Sequence, residues 1–241
     1  MRILVISDIH ANLPAFQAVL EDAKGKWDQI WSLGDLIGYG PHPNECVSLL
    51  REYDHISLSG NHDWAVMGRI DINTFNKEAK RVVEWTRQNV TQETIAYLQT
   101  LPSILIKPPF TLAHASPRQP VWEYILDAYT AAINFDYFDT PYCLVGHTHV
   151  PIIFEEMSNN EIGVFAPTLA PQVLNGNRRI INPGSVGQPR DTDPRASYAL
   201  LNTDTLTWEY CRVAYPIKET QKAMRDAGLP KRLIKRLEYG W

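Results

Sequence analysis

The sequence predicts an α/β fold in which two packed β-sheets are flanked by outer helices. Over roughly the first 60 residues, short β-branched strands alternate with loops and helices, as in βαβ units with parallel strands. Beyond residue 103 the pattern changes to a series of short strands, which requires a second sheet. No internal repeat or low-complexity linker interrupts the 241 residues, so we predict one domain over residues 1–241.

Three strands and two helices account for the first part of this pattern. The strands are predicted at residues 3–6, 29–33 and 56–58. Between the first two strands, Pro14 opens a helix that ends at Gly25. Asn44 is expected to cap the second helix, because its side chain can accept a hydrogen bond from the first helical turn.

The rest of the chain is predicted to be two helices followed by strands. Residues 77–101 have helical character, with a break near Thr91. Strands are predicted at residues 104–106, 110–113, 142–145, 152–154, 179–181, 197–202 and 206–213. The turn-forming residues 202–204 favour a hairpin between the last two strands, and the Pro-containing stretch 116–139 is expected to lie outside the core.

The charge balance argues against a long nucleic acid as the partner. The chain has 23 Lys and Arg against 27 Asp and Glu, a formal net charge of −4, and no basic run. The one basic concentration has helical spacing and is predicted to be a solvated helix face. Its members are Lys231, Arg232, Lys235 and Arg236. A small phosphate compound stays compatible with this balance, because a metal centre can be locally positive.

The cysteines and the apolar segments indicate a cytoplasmic protein without membrane contact. Cys46, Cys143 and Cys211 show no paired or metal-binding spacing, as expected for reduced thiols. The N-terminal apolar run of four residues is too short for a signal peptide, and no segment is long enough to span a bilayer. The oligomeric state stays open, because the apolar C-terminal stretch fits either a packing helix or a dimer contact.

Five polar clusters each follow directly after a predicted strand. They are Asp8-Ile9-His10, Gly34-Asp35, Gly60-Asn61-His62-Asp63, His114 and Gly146-His147-Thr148-His149. Open α/β sheets place their sites at the carboxyl ends of strands. Five of the seven histidines fall in these clusters, and the mixed oxygen and nitrogen donors suit Mn, Fe, Ni, Co or Zn. One cluster alone predicts little, because Gly-Asp is a common turn and Asn or His can cap a helix. The five clusters in this order, each after a strand, together predict a metal site.

This ordered set resembles the calcineurin-like metallophosphoesterases, in particular their small bacterial and archaeal phosphodiesterase branch. The family pattern is Asp-x-His, Gly-Asp, Gly-Asn-His-Asp/Glu, His and Gly-His-x-His, and looser similarity continues through residues 182–185. The resemblance implies a four-layer αββα sandwich of two mixed sheets, with two divalent transition-metal ions, Mn favoured, at the sheet edge. It assigns Asp8, His10 and His149 to the first ion, Asn61, His114 and His147 to the second, and Asp35 as the bridge between them.

The resemblance also implies hydrolysis of a small phosphoester. Two ions about 3.5–4 Å apart would lower the pKa of a shared water, and the resulting hydroxide would attack phosphorus in line. His62 would lie near the leaving-group oxygen and donate a proton to it. Asp63 would orient His62 by accepting a hydrogen bond from its other ring nitrogen.

One departure from the family bears on the substrate. Tyr39 stands where the protein-phosphatase branch and the symmetrical dinucleoside tetraphosphatases have an Arg, and Asp63 replaces a Glu of the protein-phosphatase branch. A phosphate dianion needs a guanidinium more than a diester monoanion does, so a phosphodiesterase is predicted. The alternatives are a phosphomonoesterase acting on a small metabolite and a nuclease, which the net charge disfavours. A metal-binding scaffold of this fold, like the retromer subunit, is the non-enzymatic alternative, although such relatives tend to lose ligands that this chain retains.

Two arginines are candidates for substrate contacts outside the metal shell. Arg118 follows His114 closely, and Arg190 lies just after the loop at residues 183–187. Either side chain can hold a phosphate oxygen or form a surface salt bridge. Five aromatic residues crowd the 116–139 excursion, namely Trp122, Tyr124, Tyr129, Phe135 and Tyr137. They can stack on a base, but packing in the core or a lid is the favoured role.

Overall fold

The computed structural model of the protein describes residues 1–158 and 161–241. The strands are β1 (Arg2–Ile6), β2 (Gln29–Ser32), β3 (His55–Ser57), β4 (Ile104–Lys107), β5 (Phe110–Ala113), β6 (Tyr142–Leu144), β7 (Ile152–Glu156), β8 (Ile162–Phe165), β9 (Gln172–Val173), β10 (Arg179–Asn182), β11 (Ala196–Asn202) and β12 (Thr207–Val213). The helices are α1 (Leu13–Asp22), α2 (Pro43–Leu50), α3 (Asn61–Val66), α4 (Lys77–Asn89), α5 (Gln92–Gln99), α6 (Ala128–Phe135), α7 (Ile217–Asp226) and α8 (Lys231–Tyr239), with a 3₁₀ turn at Ile72–Thr74.

The strands form two mixed sheets, and this confirms the predicted fold. The first sheet has the order β3-β2-β1-β11-β12-β9, and the second has the order β4-β5-β6-β10-β7-β8. In the first sheet β1, β2 and β3 are parallel, whereas β11 runs antiparallel to β1. In the second sheet β5, β6 and β10 are parallel. Helix α1 packs on β11 and β12, and α6 packs on β7 and β8, so helices cover both outer faces of the sandwich.

Alternation along β1 explains how the first sheet buries both of its faces. Ile3 and Val5 point into the core between the two sheets, whereas Leu4 and Ile6 belong to the core under the helices of the first sheet. All four side chains are fully buried. Since burying such a side chain contributes about 1.5–3 kcal/mol, β1 is strongly fixed in the middle of the sheet. The residues just after Ile6 are therefore held at one defined position.

The predicted strands all exist, with bounds within two residues of those observed. Residues 77–101 form α4 and α5, and Thr91 caps α5 by accepting a hydrogen bond from the amide of Thr94. The cap predicted at Asn44 is wrong, because α2 begins at Pro43 and His42 occupies the cap position. The Asn44 side chain instead bonds to the backbone of Asn89 and Thr91, which ties α2 to the α4–α5 junction.

Several elements were not anticipated from the sequence. They are the helices α3, α6 and α7 and the short strands β8 and β9. None of the described helices combines the length and the apolarity that a bilayer crossing needs. Cys46, Cys143 and Cys211 are free thiols, as predicted.

The C-terminal helix α8 packs against the body of the protein. Its apolar side is buried through Leu233, Ile234 and Leu237. The prediction of a solvated basic face is confirmed for Lys231, Arg232 and Lys235, which are exposed. It is wrong for Arg236, which is half-buried and donates a hydrogen bond to the side chain of Gln188.

Candidate metal centre

The predicted ligand residues lie on the loops that follow β1, β2, β5 and β6 and, for Asn61, at the start of α3 after β3, and the backbone of these loops is unusual. The φ angle is 54° at Asp8, 50° at His10, 52° at Asp35, 63° at His147 and 61° at His149. A residue other than glycine costs about 1–3 kcal/mol in this left-handed region, and it persists only where the surroundings fix it. Interlocking loops supply that constraint here, because the His10 amide donates to the carbonyl of Asp35 at 3.0 Å. Strain of this kind concentrates at functional sites.

Two glycines make room for the acidic side chains. A Cβ at Gly60 would lie 2.1 Å from Asp35 Oδ1, and a Cβ at Gly146 would lie 1.9 Å from Ser7 Oγ and 2.8 Å from Asp8 Oδ2. No real side chain fits at such distances. The glycines of two predicted clusters are therefore required by the close approach of the loops.

Asp8, His10 and His149 form a first group of potential metal ligands. The Nε2 atoms of His10 and His149 are 3.0 Å apart, and Asp8 Oδ1 lies 3.3 Å from the Nε2 of His149 and 3.7 Å from that of His10. Asp8 Oδ1 has no hydrogen-bond partner within the described part of the chain. The other oxygen, Oδ2, accepts from Ser7 Oγ at 2.6 Å and from the His147 amide at 3.0 Å, which fixes the carboxylate.

Asp35, His114 and His147 form a second group, and Asp35 links it to the first. Asp35 Oδ2 lies 3.5 Å from His114 Nε2 and 3.6 Å from His10 Nε2. The side-chain oxygen of Asn61 is 3.3 Å from His114 Nε2, so Asn61 joins the second group. All seven predicted ligands are thus brought together, with Asp35 between the two groups.

Hydrogen bonds to backbone carbonyls fix the tautomers of these histidines. Because a carbonyl can only accept, the ring nitrogen that faces it must carry the proton. Nδ1 of His10 donates to Ile37 at 3.2 Å, Nδ1 of His114 to Leu33 at 2.8 Å, and Nδ1 of His149 to Gln188 at 2.6 Å. In these three rings Nε2 therefore holds the lone pair. His147 has the opposite arrangement, since its Nε2 donates to the carbonyl of Trp122 at 3.2 Å, leaving Nδ1 free.

These facts fit divalent metal ions. With both Nδ1 atoms acting as donors, the Nε2 atoms of His10 and His149 are acceptors that face each other and the unpartnered Asp8 Oδ1. Such a set of buried acceptors is repulsive by itself and is stabilised by a cation between its members. Burial lowers the pKa of His10, His114 and His147, and it lowers the pKa of His149 to about 4, so the rings are neutral as metal binding requires.

The two carboxylates of the site have opposite electrostatic surroundings. Burial raises the pKa of Asp8, but the combined effect of His149, His114 and His10 is larger and holds the pKa below its usual range. The pKa of Asp35 is raised by burial and by the nearby carboxylates of Asp63 and Asp8. Positive charge placed between Asp8 and Asp35 would relieve the repulsion between them.

His62 lies beside the two groups rather than within either of those predicted for the ions. The centre of its ring is 5.0 Å from that of His10, 4.3 Å from Tyr39 and 5.3 Å from Phe75. Its backbone amide donates to Asp35 Oδ1 at 2.8 Å. Burial and the positive charge of Arg190 lower the pKa of the His62 ring.

The expected hydrogen bond from His62 to Asp63 is absent, and this part of the prediction is wrong. His62 Nδ1 is buried without a partner among residues 1–158 and 161–241. Asp63 is fully buried and accepts from the backbone amides of Gly60 at 2.9 Å, Ile37 at 3.2 Å and Leu36 at 3.4 Å. It therefore caps α3 and joins the loops after β2 and β3.

The two candidate arginines differ in where they point. The guanidinium of Arg118 is paired with Glu123, which also accepts from Ser116 Oγ and from the Asn134 amide. Of the two functions considered for Arg118, the structure therefore shows the salt bridge, which Arg118 forms with Glu123. Arg190 turns towards the histidines, and its guanidinium carbon lies 5.6 Å from the centre of the Tyr39 ring.

The aromatic residues of the excursion do not share one role. Phe135 is buried in the core, as predicted, whereas the packing prediction is wrong for Tyr129 and Tyr137, which are 76% and 53% exposed. Tyr124 stacks on the ligand His147 with ring centres 4.0 Å apart. Trp122 contacts Phe75 at 5.5 Å and supplies the carbonyl that binds His147. Part of the excursion therefore forms one wall of the site.

Sequence reasoning missed how residues 182–188 support the ligands. Ser185 Oγ and the Gly187 amide both donate to the carbonyl of Asp8, at 2.8 and 2.9 Å. The Asn182 amide group donates to the carbonyl of Gly146 at 2.7 Å. The Asn-Pro-Gly-Ser run was a visible signal, but its contacts are to backbone atoms far away in the chain.

The packing role of Tyr39 was also missed, because the sequence shows only that it replaces an Arg of related proteins. Tyr39 is a buried residue that packs on His10 and His62.

Comparisons with known proteins agree with this geometry. Residues 1–206 match the sequence model of the calcineurin-like phosphoesterase superfamily domain. The chain is 38% identical to an uncharacterised protein of Methanocaldococcus jannaschii, over 99% of this chain and 98% of that protein. It superposes on a metallophosphoesterase crystal structure from Sphaerobacter thermophilus with a TM-score of 0.91 and 49% identity, covering 100% and 99% of the two chains. A hypothetical protein from Pyrococcus horikoshii shares the fold, with a TM-score of 0.80, 19% identity and coverage of 100% and 98%.

Proposed function

Because the chain belongs to the calcineurin-like phosphoesterase superfamily, we propose that it is a phosphodiesterase that uses two divalent metal ions. Mn²⁺ is the favoured ion, and we propose that residues 1–241 act as one domain. The observation that carries this proposal is the set of buried acceptor atoms that face one another. The Nε2 atoms of His10 and His149 are 3.0 Å apart, and neither can donate to the other. An acceptor cluster of this kind is suited to a cation and unsuited to a purely structural role.

Each predicted ligand has a definite task in this proposal. Asp8, His10 and His149 would hold one ion, and Asn61, His114 and His147 would hold the other. Asp35 would contact both, since its Oδ2 lies 3.5–3.6 Å from a histidine of each group. When bound, the two ions would supply an activated water and neutralise charge on the phosphoryl oxygens. The fixed tautomers and strained loops keep the donor atoms in place before any ion binds.

His62 is proposed to donate the proton to the leaving-group oxygen. Its ring lies against His10 and Tyr39, beside the ligands rather than among those assigned to the ions. Although burial lowers the pKa of the free His62, a negatively charged phosphoester next to the ring would raise that pKa and favour the protonated form. Its unpartnered Nδ1 leaves the ring without a competing hydrogen bond inside the described structure.

One observation favours a phosphomonoesterase as the second candidate. The diester prediction depends on Tyr39 replacing an arginine, but Arg190 brings a guanidinium to the same ring from another loop. A guanidinium at this place would also support a phosphate dianion. The choice between ester classes therefore depends on direct measurement.

The decisive test compares bis-p-nitrophenyl phosphate with p-nitrophenyl phosphate as substrates of the metal-stripped protein, with and without added Mn²⁺. We expect Mn²⁺ to restore turnover, with the diester hydrolysed faster. His62→Ala should lower kcat about 10²–10⁴-fold, the contribution of a positioned acid. His55→Gln is the matched control, because His55 bonds to Tyr53 and Tyr97 outside the site. Faster monoester hydrolysis would favour the second candidate, and metal binding without hydrolysis of either ester would favour a scaffold.

A further inference from the structure

Two arginines from distant parts of the chain converge on one buried side chain next to the metal-ligand histidines. Arg190 Nη2 donates to Gln188 Oε1 at 2.9 Å, and Arg236 Nη1 donates to the same oxygen at 3.1 Å. Gln188 is 1% exposed, and its Nε2 has no hydrogen-bond partner within the residues that the structure describes. Two cations thus share one neutral acceptor, which is an unfavourable arrangement unless an anion lies near them.

Neither arginine has a carboxylate in direct contact within residues 1–158 and 161–241, although Asp35 acts on Arg190 and Glu78 acts on Arg236 from a longer distance. Neither Arg190 nor Arg236 forms an ion pair there, although the adjacent Arg232 on α8 lies 3.8 Å from Glu78. Burial and the charge of Arg190 lower the pKa of Arg236. The pair therefore carries positive charge without a direct ion pair in a partly desolvated place, where an anion would be bound more strongly than at the open surface.

The position of the pair relates it to the reaction. The Arg190 guanidinium lies over the ring of Tyr39, and that ring is 4.3 Å from the ring of His62 and 4.6 Å from the ring of His10. The charges therefore lie on the side of the site where His62 would meet the leaving group. Gln188 also connects the two parts directly, because its carbonyl accepts from Nδ1 of the ligand His149 at 2.6 Å.

The segments that carry the two arginines are tied to the body of the protein and to each other. Arg236 is carried by α8, whose buried side includes Leu233 and Leu237. The end of α8 is tied to the loop of Arg190, since the Thr192 amide donates to the carbonyl of Gly240 at 2.8 Å. Arg236 lies beyond residue 206, where the family match ends, whereas Gln188 and Arg190 lie within the matched residues.

We propose that Arg190 and Arg236, joined by Gln188, form a subsite for a second phosphate group carried by the leaving group of the substrate. The inference rests on the proposed hydrolytic function and narrows its substrates to phosphoesters whose leaving group is itself phosphorylated. The oxygens of such a group can accept hydrogen bonds from the guanidinium N–H groups that do not bond to Gln188, whereas a neutral alcohol offers a single uncharged oxygen. The reaction would still be hydrolysis: water would supply the new oxygen on phosphorus, the phosphorus–oxygen bond to the leaving group would break, and the leaving oxygen would take its proton from His62.

The test measures two matched ligands, propane-1,3-diol bisphosphate and propyl phosphate, which differ only in the second phosphate. Each is used as a competitive inhibitor of bis-p-nitrophenyl phosphate hydrolysis, and each is titrated into the metal-free protein by calorimetry. We expect Arg236→Gln to weaken the bisphosphate about tenfold or more relative to propyl phosphate. Lys235→Gln is the matched control, because it removes one exposed charge from the same helix and should leave the ratio of affinities unchanged.

Further arms keep the result interpretable. Arg236→Lys retains the charge without the fork and should give an intermediate ratio, and thermal unfolding of each variant shows whether α8 remains docked. If Arg236→Gln weakens both ligands equally, or no more than Lys235→Gln does, the subsite proposal is wrong. If the protein hydrolyses no phosphoester but calorimetry still shows bisphosphate binding that depends on Arg236, the proposed hydrolase function fails while the anion subsite stands.

Discussion

The substitution Asp63→Asn separates a structural role of this carboxylate from a role in positioning His62. Asp63 Oδ2 accepts from the amides of Gly60 and Leu36, and Oδ1 accepts from the amide of Ile37. An asparagine oxygen can retain the first two bonds, but its NH₂ group then faces the third amide. The substitution therefore removes one hydrogen bond to a charged group. It also places two buried donors against each other, the NH₂ group of the new side chain and the backbone amide of Ile37.

The expected loss of stability follows from these contacts. A hydrogen bond to a charged group contributes about 1.5–3 kcal/mol, and an unsatisfied buried donor costs about 1–3 kcal/mol. The two contributions add to about 2.5–6 kcal/mol, and because the burial that raises the pKa of Asp63 to about 7 also penalises the ionised carboxylate, we expect Asp63→Asn to lower the free energy of unfolding of the metal-free protein at pH 8 by about 2.5 kcal/mol, the lower end of that range. Urea denaturation followed by tryptophan fluorescence measures this difference.

Asp127→Asn is the matched control. Asp127 is an exposed cap of α6 that accepts from the Thr130 amide at 2.8 Å, and asparagine caps a helix about as well as aspartate. Its substitution should change stability by less than about 0.5 kcal/mol. The reasoning fails if Asp63→Asn is equally neutral for stability while hydrolysis still falls more than about tenfold, since Asp63 would then act on His62 in solution rather than on the backbone.

Three further predictions follow from the site. Adding Mn²⁺ to the metal-free protein at 100 times the dissociation constant of each site should raise the free energy of unfolding by about 2.7 kcal/mol per ion, or about 5.4 kcal/mol for two ions. Asp35→Asn should reduce this gain in the same urea titration, and no gain would contradict the metal centre. Burial lowers the pKa of His149 to about 4 in the folded state, whereas the ordinary value of about 6.5 applies in the unfolded chain. As the pH falls below about 6.5, the unfolded chain therefore binds a proton at His149 before the folded protein does. The metal-free protein should therefore lose about 1.4 kcal/mol per pH unit from this residue alone between pH 6.5 and 4, and a flat stability profile over that range would count against it. Arg190→Met should lower kcat/KM for bis-p-nitrophenyl phosphate about 10-fold or more. Arg118→Met should lower it less than about threefold, because Glu123 already binds the guanidinium of Arg118. Equal losses in the two variants would show that the ion pair of Arg118 with Glu123 does not persist in solution.

The ligand set could be predicted from the sequence because it depends on local pattern. Ile3 to Ile6 fix β1, so Asp8 and His10 must follow its carboxyl end, and the same reasoning holds for His147 and His149 after β6. Parallel pairing brings together the ends of β1, β2 and β3 in one sheet and those of β5 and β6 in the other, and the packing of the two sheets then joins the two sets. Strand periodicity and short motifs thus located the five clusters, whereas the assignment of each ligand to one of two ions came from the resemblance to the family.

The contacts of the surrounding residues could not be predicted, because they depend on distant partners. Arg118 and Arg190 both follow closely after cluster residues or motifs, yet one meets the carboxylate of Glu123 and the other meets the amide of Gln188. Nothing local to Asp63 indicates that its acceptors face backbone amides of residues 36 and 37. Arg236 has the spacing of an ordinary exposed helix face, and only the docking of α8 turns it inward.

The central place of β1 in its sheet has a consequence for the order in which the protein can assemble during synthesis. One neighbour of β1 is β2, but the other is β11, which ends at Asn202. At about 5–20 residues per second, β1 waits about 10–40 s after its own synthesis for that partner. Over this interval its apolar strand has an open edge, and Asp8 lacks the contacts of Ser185 and Gly187. The site for metal ions is therefore completed only when nearly the whole chain has been made, so ion uptake comes late in the life of each nascent molecule.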